Sequence, residues 1–459
     1  MPAVLLLLLA AAACGGGADR AARGQASPPP AGFSADTFTR EGLISGATAT
    51  EAGCRALPDA VWAAAAGGRR ECLRFGVSGD GQPGQRPPGG TAVVYIPGDP
   101  GGAFYRIAGG RPQVDGLSEH YELSPETRHA GADALSGAMG GIPVLLLARP
   151  GMHGSSGHHA RDRQTAAEVE LLDDALTQLR RRYGFRDLAL VGFSSGGAVV
   201  ANLLARRSDL RCAVIASAPL DLAQAYRRQD ASTPDDFAMR RRELADPMAT
   251  VGAIRQDAEV FVIGDRRDRT VPASTWEAWV AAARRAGLHV HVAEIAGLDR
   301  PELAAAAGAT ESRHHTSGRG LEVAQACASG VPPDLILRAL RAEAPIIEPR
   351  GQRLRGPEIV AALAGRRLRA TEWSPRVNVA SHWEPDGTLT YLHLRNGERP
   401  IAALRWWVDG DRLCTTRHGC GAVLADGRFL HLLVEGDPPR LRVTLVMVPA
   451  PPPVGQGGS

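Results

Sequence analysis

The chain has 459 residues, 44% of them apolar, and a formal charge of +3. That length exceeds one ordinary core and predicts two domains plus a tail, while the apolar share excludes wholesale disorder. Every basic side chain is Arg apart from the histidines, and no basic run is interleaved with aromatics, so nucleic acid is not an expected partner.

Residues 4–9 form an apolar run, residues 10–13 are four alanines, and Cys14 follows at once. This is the order of an export signal with small residues at its cleavage site. The run is too short for a permanent membrane span. A Cys directly after small residues resembles the bacterial lipoprotein processing site. That resemblance implies lipidation at Cys14, a membrane anchor and a cell-envelope location. Residues 15–35 are dominated by Gly, Ala, Ser and Pro and are expected to be a flexible tether. Of seven cysteines, six remain beyond Cys14. Sequence proximity pairs Cys54 with Cys72 and Cys414 with Cys420, leaving Cys212 for Cys327. Disulfides would fit an exported chain.

From about residue 71 to 330 the pattern alternates β and α, which predicts a parallel sheet covered by helices, and a first domain over 36–330. Strands are expected over 72–76, 92–97, 143–148, 188–192, 212–217, 260–264 and 290–295. Runs such as Val144-Leu145-Leu146-Leu147 suit strands buried on both faces. A helix is expected over 165–183, where Ala167, Leu171, Leu172, Ala175, Leu176 and Leu179 recur at helical spacing. Its charges, Glu168, Glu170, Asp173 and Asp174 early and Arg180 to Arg182 late, match the helix dipole and are read as a solvated face. Residues 331–348 are expected to be a linker, 349–449 a small β-barrel-like domain opening with a short helix at 356–365, and 450–459 a disordered tail. The β reading rests on the turn signals Pro385-Asp386-Gly387, Asn396-Gly397, Asp409-Gly410 and Asp426-Gly427 between apolar runs. Trp383, Trp406 and Trp407 are read there as core or cross-strand residues.

The central chemical feature is Gly192-Phe193-Ser194-Ser195-Gly196, between an apolar strand and a helix-forming stretch. A serine there sits on a strained strand-to-helix turn, with a helix N-terminus behind it that favours developing negative charge. Ser194 is thus the expected nucleophile. Its hydroxyl needs a base, and the base needs an orienting carboxylate. The strand ending at Gly264 runs into Asp265-Arg266-Arg267-Asp268-Arg269-Thr270-Val271-Pro272, which supplies Asp268 as the acid, with Asp265 as the alternative. After the next strand, Arg313-His314-His315-Thr316 supplies the base: His315 is preferred, and His314 stays open. The connection from Gly297 is long, and no Gly-x-x-Gly lead-in precedes the histidines. Backbone N–H groups for an oxyanion are expected from Ser195 and from the turn Pro97-Gly98-Asp99-Pro100-Gly101-Gly102, with Gly98, Gly101 and Gly102 as candidate donors. His153, His158 and His159 lack accompanying carboxylates or cysteines at metal-ligand spacing and are read as a polar loop, so no metal or other cofactor is expected.

The Pro97-to-Gly102 turn resembles the His-Gly-Gly-Pro-Gly turn of prolyl iminopeptidases, with Pro97 in place of His and Asp99 in place of Gly. Arg149-Pro150-Gly151 through Gly154-Ser155-Ser156-Gly157 is similar to the loop after the next strand in the same group. On these motifs residues 90–330 resemble bacterial α/β-hydrolase lipoproteins related to prolyl oligopeptidase and prolyl iminopeptidase. The resemblance implies an α/β-hydrolase fold, a mostly parallel sheet flanked by helices, here followed by a small C-terminal antiparallel β domain. It also implies hydrolysis of a small ester or peptide through an acyl-serine intermediate, with the chain order Ser194, Asp268, His. A second class stays open, a non-catalytic envelope binding or assembly protein on a hydrolase scaffold, because the turn lacks its His.

Overall fold

The computed structural model describes residues 31–32, 40–79, 90–99, 104–108, 111–115, 125–229, 244–255, 257–297, 313–344, 346–347, 351–372, 378–392, 400–416, 419–427, 429–434 and 440–447. The expected signal peptide with Cys14, most of the tether, Gly101, Gly102 and the tail lie outside these residues.

Eight strands make the first sheet: β1 (Ala60–Ala64), β2 (Arg70–Val77), β3 (Thr91–Ile96), β4 (Val144–Leu147), β5 (Asp187–Phe193), β6 (Leu210–Ala216), β7 (Glu259–Gly264) and β8 (Val290–Glu294). Their order is β8-β7-β6-β5-β3-β4-β2-β1. The six strands from β8 to β4 run parallel, and β2 and β1 are antiparallel additions at one side. All seven expected strands are present; β1, an Ala-rich stretch, was not expected.

Seven helices carry the main packing on the two sheets: α1 (Pro125–Ala138), α2 (Ala166–Tyr183), α3 (Ser195–Leu203), α4 (Ala273–Arg285), α5 (Ser317–Ala328), α6 (Pro333–Arg341) and α7 (Gly356–Leu363). One face of the first sheet packs on α2, α3 and α4 through Leu172, Leu176, Val200 and Trp279. The other packs on α1, α5 and α6 through Leu135, Leu321, Ile336 and Leu340. Burial on both faces is why these strands read as continuous apolar runs. Helix α6 corrects the expectation of a linker over 331–348: Ile336, Leu337 and Leu340 put an apolar stripe on a helix, which docks on the first core. Helix α2 starts at the Thr165 cap, whose hydroxyl accepts from the Glu168 amide, and stops at Gly184 in the left-handed region. Glu168 corrects the reading of a solvated acidic face, because its side chain is fully buried.

Disulfides join Cys54 to Cys72, Cys212 to Cys327 and Cys414 to Cys420. The first and third are the pairs that sequence proximity suggests, and the second is the pair then left over. The second ties β6 to α5, helping to seat the helix that follows the two histidines.

The second sheet is antiparallel: β9 (Gln352–Arg353), β10 (Arg366–Glu372), β11 (Asn378–Trp383), β12 (Thr388–Leu392), β13 (Pro400–Asp409), β14 (Arg412–Thr415), β15 (Gly419–Asp426), β16 (Phe429–Val434) and β17 (Arg440–Met447). Strands β10 to β17 pair in sequence, and β17 pairs back onto β10, so the ring is closed. Closure removes the unpaired edges that an open antiparallel sheet would expose. Inside, Trp383 and Trp406 meet edge to face at 5.6 Å, beside Leu389, Val423 and Ile359 of α7. Trp407, next along β13, points outward and is exposed.

Helix α1 lies between the two sheets; an added Cβ at Gly137 would come within 2.7 Å of the Phe429 ring. His431, two residues on and on the same face of β16, stacks over Phe429 and is fully buried. Burial pushes its imidazole down to about 4, with Asp426 opposing the shift. An unfolded chain would bind that proton near its ordinary pKa of about 6.5. Between those two values the unfolded state therefore takes up a proton that the folded state refuses, and stability falls as the pH falls. We expect His431→Gln to remove up to about 3 kcal/mol of acid sensitivity, seen as a smaller drop in unfolding free energy from pH 7 to pH 4.5 than in wild type.

Candidate active site

Four segments converge at the carboxyl ends of β3, β5, β7 and β8, the edge where open parallel sheets hold their ligands. Ser194 follows β5 directly and begins α3. Its backbone is in a strained region (φ 52°, ψ −128°) that a non-glycine residue seldom occupies. Its amide donates to Ala216 O on β6, which holds the turn from one side. Although Ser194 is the helix N-cap, its hydroxyl makes no capping bond. The side chain is partly exposed.

The elbow is possible because its neighbours lack Cβ atoms. At Gly196 an added Cβ would stand 2.5 Å from both Ile96 O and Pro97 O, and at Gly192 it would run into the Gly196 carbonyl. At Gly98 it would lie 2.8 Å from Ser194 Cβ. The turn after β3 thus presses on the elbow with backbone alone. Ser195 is the first residue of α3, so its N–H has no intrahelical partner and lies beside this turn. Of the expected oxyanion residues, Ser195 and Gly98 are brought to Ser194.

Asp268 and the two histidines come from the other side. Asp268 is buried and takes amide donations from Thr270 (2.8 Å) and Val271 (2.9 Å) on Oδ1. Its Oδ2 is 2.7 Å from His314 Nδ1. With the carboxylate ionised, Nδ1 carries the shared proton and Nε2 is left as the acceptor. The preference for His315 is therefore corrected: the carboxylate reaches His314. Both rings pack on Phe193, the residue before Ser194, with centroids 5.0 Å and 5.5 Å away.

Asp265, the alternative acid, has a different task. It accepts from the Arg267 amide (2.8 Å) and the Gly297 amide (3.0 Å), and it faces the Arg313 guanidinium at 3.5 Å. Burial would raise its carboxyl, but these two amides and Arg267 hold it below the usual carboxylate range. An added Cβ at Gly297 would collide with the Arg313 carbonyl, and Arg313 itself is left-handed (φ 47°). Gly297 thus lets the chain after β8 pass against the backbone just before His314. A last tie joins Ser217 Oγ to Thr316 Oγ1 at 2.8 Å, fixing the start of α5 to the end of β6.

A buried ionic cluster lies behind the Gly98 turn, and sequence reasoning missed it. Arg149, fully buried, grips Glu168 with Nε (2.7 Å) and Nη2 (3.1 Å) and reaches Ser195 Oγ (2.6 Å), Asp99 Oδ1 (3.2 Å) and Pro97 O (3.3 Å) with Nη1. Asp99 also accepts from Ser195 Oγ (2.7 Å) and Arg163 Nη1 (2.7 Å) and faces His159 Nε2 (3.0 Å). Burial opposes ionisation of Asp99, but Arg163, the His159 hydrogen bond and Arg149 outweigh it and hold the carboxyl well below its usual range. Burial and then Arg149 push His159 down, so near neutral pH it is uncharged and donates Nε2–H to Asp99. His159 therefore belongs to the core of the site rather than to a polar loop. One signal was available: Glu168 lies three residues before Leu171 and four before Leu172, in the buried stripe of α2.

This fold and site define an α/β-hydrolase architecture. Residues 114–291 match the family described as alpha/beta hydrolase fold. Among solved structures the chain is similar to an esterase of Pyrococcus furiosus (15% identity, 51% of this chain and 80% of that one, TM-score 0.34). It is also similar to an acylaminoacyl peptidase of Pyrococcus horikoshii, of which it spans about a third (11% identity, 51% and 36%, TM-score 0.35). No curated protein matches the sequence.

Gly196→Ala should force the β3 turn away from the elbow. We expect a loss of about 1–3 kcal/mol in urea unfolding, and a midpoint within error of wild type would contradict this packing.

Proposed function

We propose that the protein is a serine hydrolase that cleaves an ester or peptide bond by acyl transfer. The observation that carries this reading is the strained serine at the β5–α3 elbow on the same sheet edge as a buried Asp268–His314 hydrogen bond. Ser194 Oγ attacks the substrate carbonyl, forming the O–C bond as its proton passes to His314 Nε2. His314 then gives that proton to the leaving alkoxide or amine, whose bond to the carbonyl carbon breaks, and water hydrolyses the acyl-serine by the same route in reverse. Asp268 keeps the imidazole in the required tautomer and stabilises its charged form. The Ser195 amide, with the Gly98 turn, faces the oxygen where negative charge develops.

The same proposal includes export and anchoring by lipid at Cys14. Three disulfides support an oxidising compartment. Growth with labelled palmitate should tag wild type and leave Cys14→Ser untagged.

A serine-directed fluorophosphonate is expected to label wild type and to leave Ser194→Ala unlabelled. Absence of labelling in a folded wild type would favour the binding scaffold over the enzyme. Aminoacyl-proline amides run against short acyl esters then separate the two chemistries, since turnover of esters alone removes the peptidase branch.

A further inference from the structure

The residue after the nucleophile does more than lend its amide. The Ser195 hydroxyl donates to Asp99 Oδ1 at 2.7 Å while Arg149 Nη1 donates to it at 2.6 Å. Ser195 is buried, and Arg149 is locked through two bonds to the buried Glu168. Asp99 is the residue after Gly98, so this hydroxyl links the two strips of backbone that face the reacting carbonyl. The elbow belongs to β5 and α3, the turn to β3, and Arg149 follows β4. The glycine contacts between elbow and turn resist approach, and beyond the last strand pair, Ile96 with Gly192, this link adds resistance to separation.

We propose that Ser195, Asp99 and Arg149 form a positioning set that holds the oxyanion-binding turn at a fixed distance from Ser194. The inference rests on the serine-hydrolase reading. Its charges support it: Asp99 and Glu168 balance Arg149 and Arg163 while His159 is neutral, so the set holds shape without adding net charge beside the developing oxyanion. Asp99 thus explains why this turn tolerates an acid where the prolyl-iminopeptidase-like turn has glycine. The carboxylate is committed to Ser195, Arg149, Arg163 and His159.

The direct test is Ser195→Ala, which removes the hydroxyl and keeps the amide. Misplacement of a catalytic donor by about an ångström costs on the order of a hundredfold in rate, so we expect kcat to fall about ten- to hundredfold with KM changed less than about twofold. Affinity for a trifluoromethyl ketone, which forms a tetrahedral adduct with an oxyanion, should fall in parallel with kcat/KM. Asp99→Ala on the Ser195→Ala background should lower kcat much less than Asp99→Ala alone, because both changes cut one link. Equal, additive losses would overturn the clamp, as would Ser195→Ala with kcat within about twofold of wild type. If Ser195→Ala melts well below wild type, Ser195→Gly, which likewise removes the hydroxyl and keeps the amide, takes its place with the same criteria. Failure of wild type itself to react with the fluorophosphonate would sink the hydrolase reading, whereas normal wild-type labelling with unimpaired Ser195 variants would sink only the clamp.

Discussion

Everything at the site depends on backbone approaching backbone at the elbow, closer than any Cβ allows. Gly192 lets the start of α3 fold back on β5, Gly196 lets the end of β3 lie under the helix, and Gly98 lets the next turn touch Ser194. The strain at Ser194 is held because the parallel sheet grips it from both sides, through β3 and β6. Such strain persists only where the surroundings over-determine the conformation, and here three strands do so.

The two halves of the site are secured by different means. On the acid–base side, Asp265 gathers amides and arginines to shape the loops after β7 and β8, freeing Asp268 for His314. On the side of the Gly98 turn, a charge-balanced cluster around Arg149 joins that turn to the elbow through Asp99 and Ser195. Removing one partner from such a cluster leaves an uncompensated buried charge, which costs about 3–5 kcal/mol. Function and stability are therefore coupled more tightly at Arg149 and Glu168 than at Asp268.

The C-terminal strands solve a separate problem. Their ring is closed by β17 on β10, and its centre is filled by Trp383, Trp406 and a helix placed ahead of the strands. Phe429 and His431 line the wall nearest α1, so that helix serves both sheets. The turn signals made an antiparallel, barrel-like order legible, but not which strands close it, since each local hairpin is equally compatible with several closures.

Several of the parallel strands, such as β3, β4 and β6, were legible because burial on both faces writes itself as a continuous apolar run. Ser194 was legible because the elbow demands glycines at fixed local spacing, and two of the disulfides because short separations favour them, the third being the pair left over. What only the tertiary structure decided was every contact between residues distant in sequence. The choice of His314 over His315 turns on which ring meets Asp268, a matter of loop geometry that adjacent, chemically identical residues cannot encode by type. Asp265 and Asp268 are equally acidic on paper, and only the amides around them assign their tasks. The Arg149 cluster draws on segments from Pro97 to Ser195. Local periodicity reports burial, but the partner that makes a buried charge tolerable comes from another part of the chain.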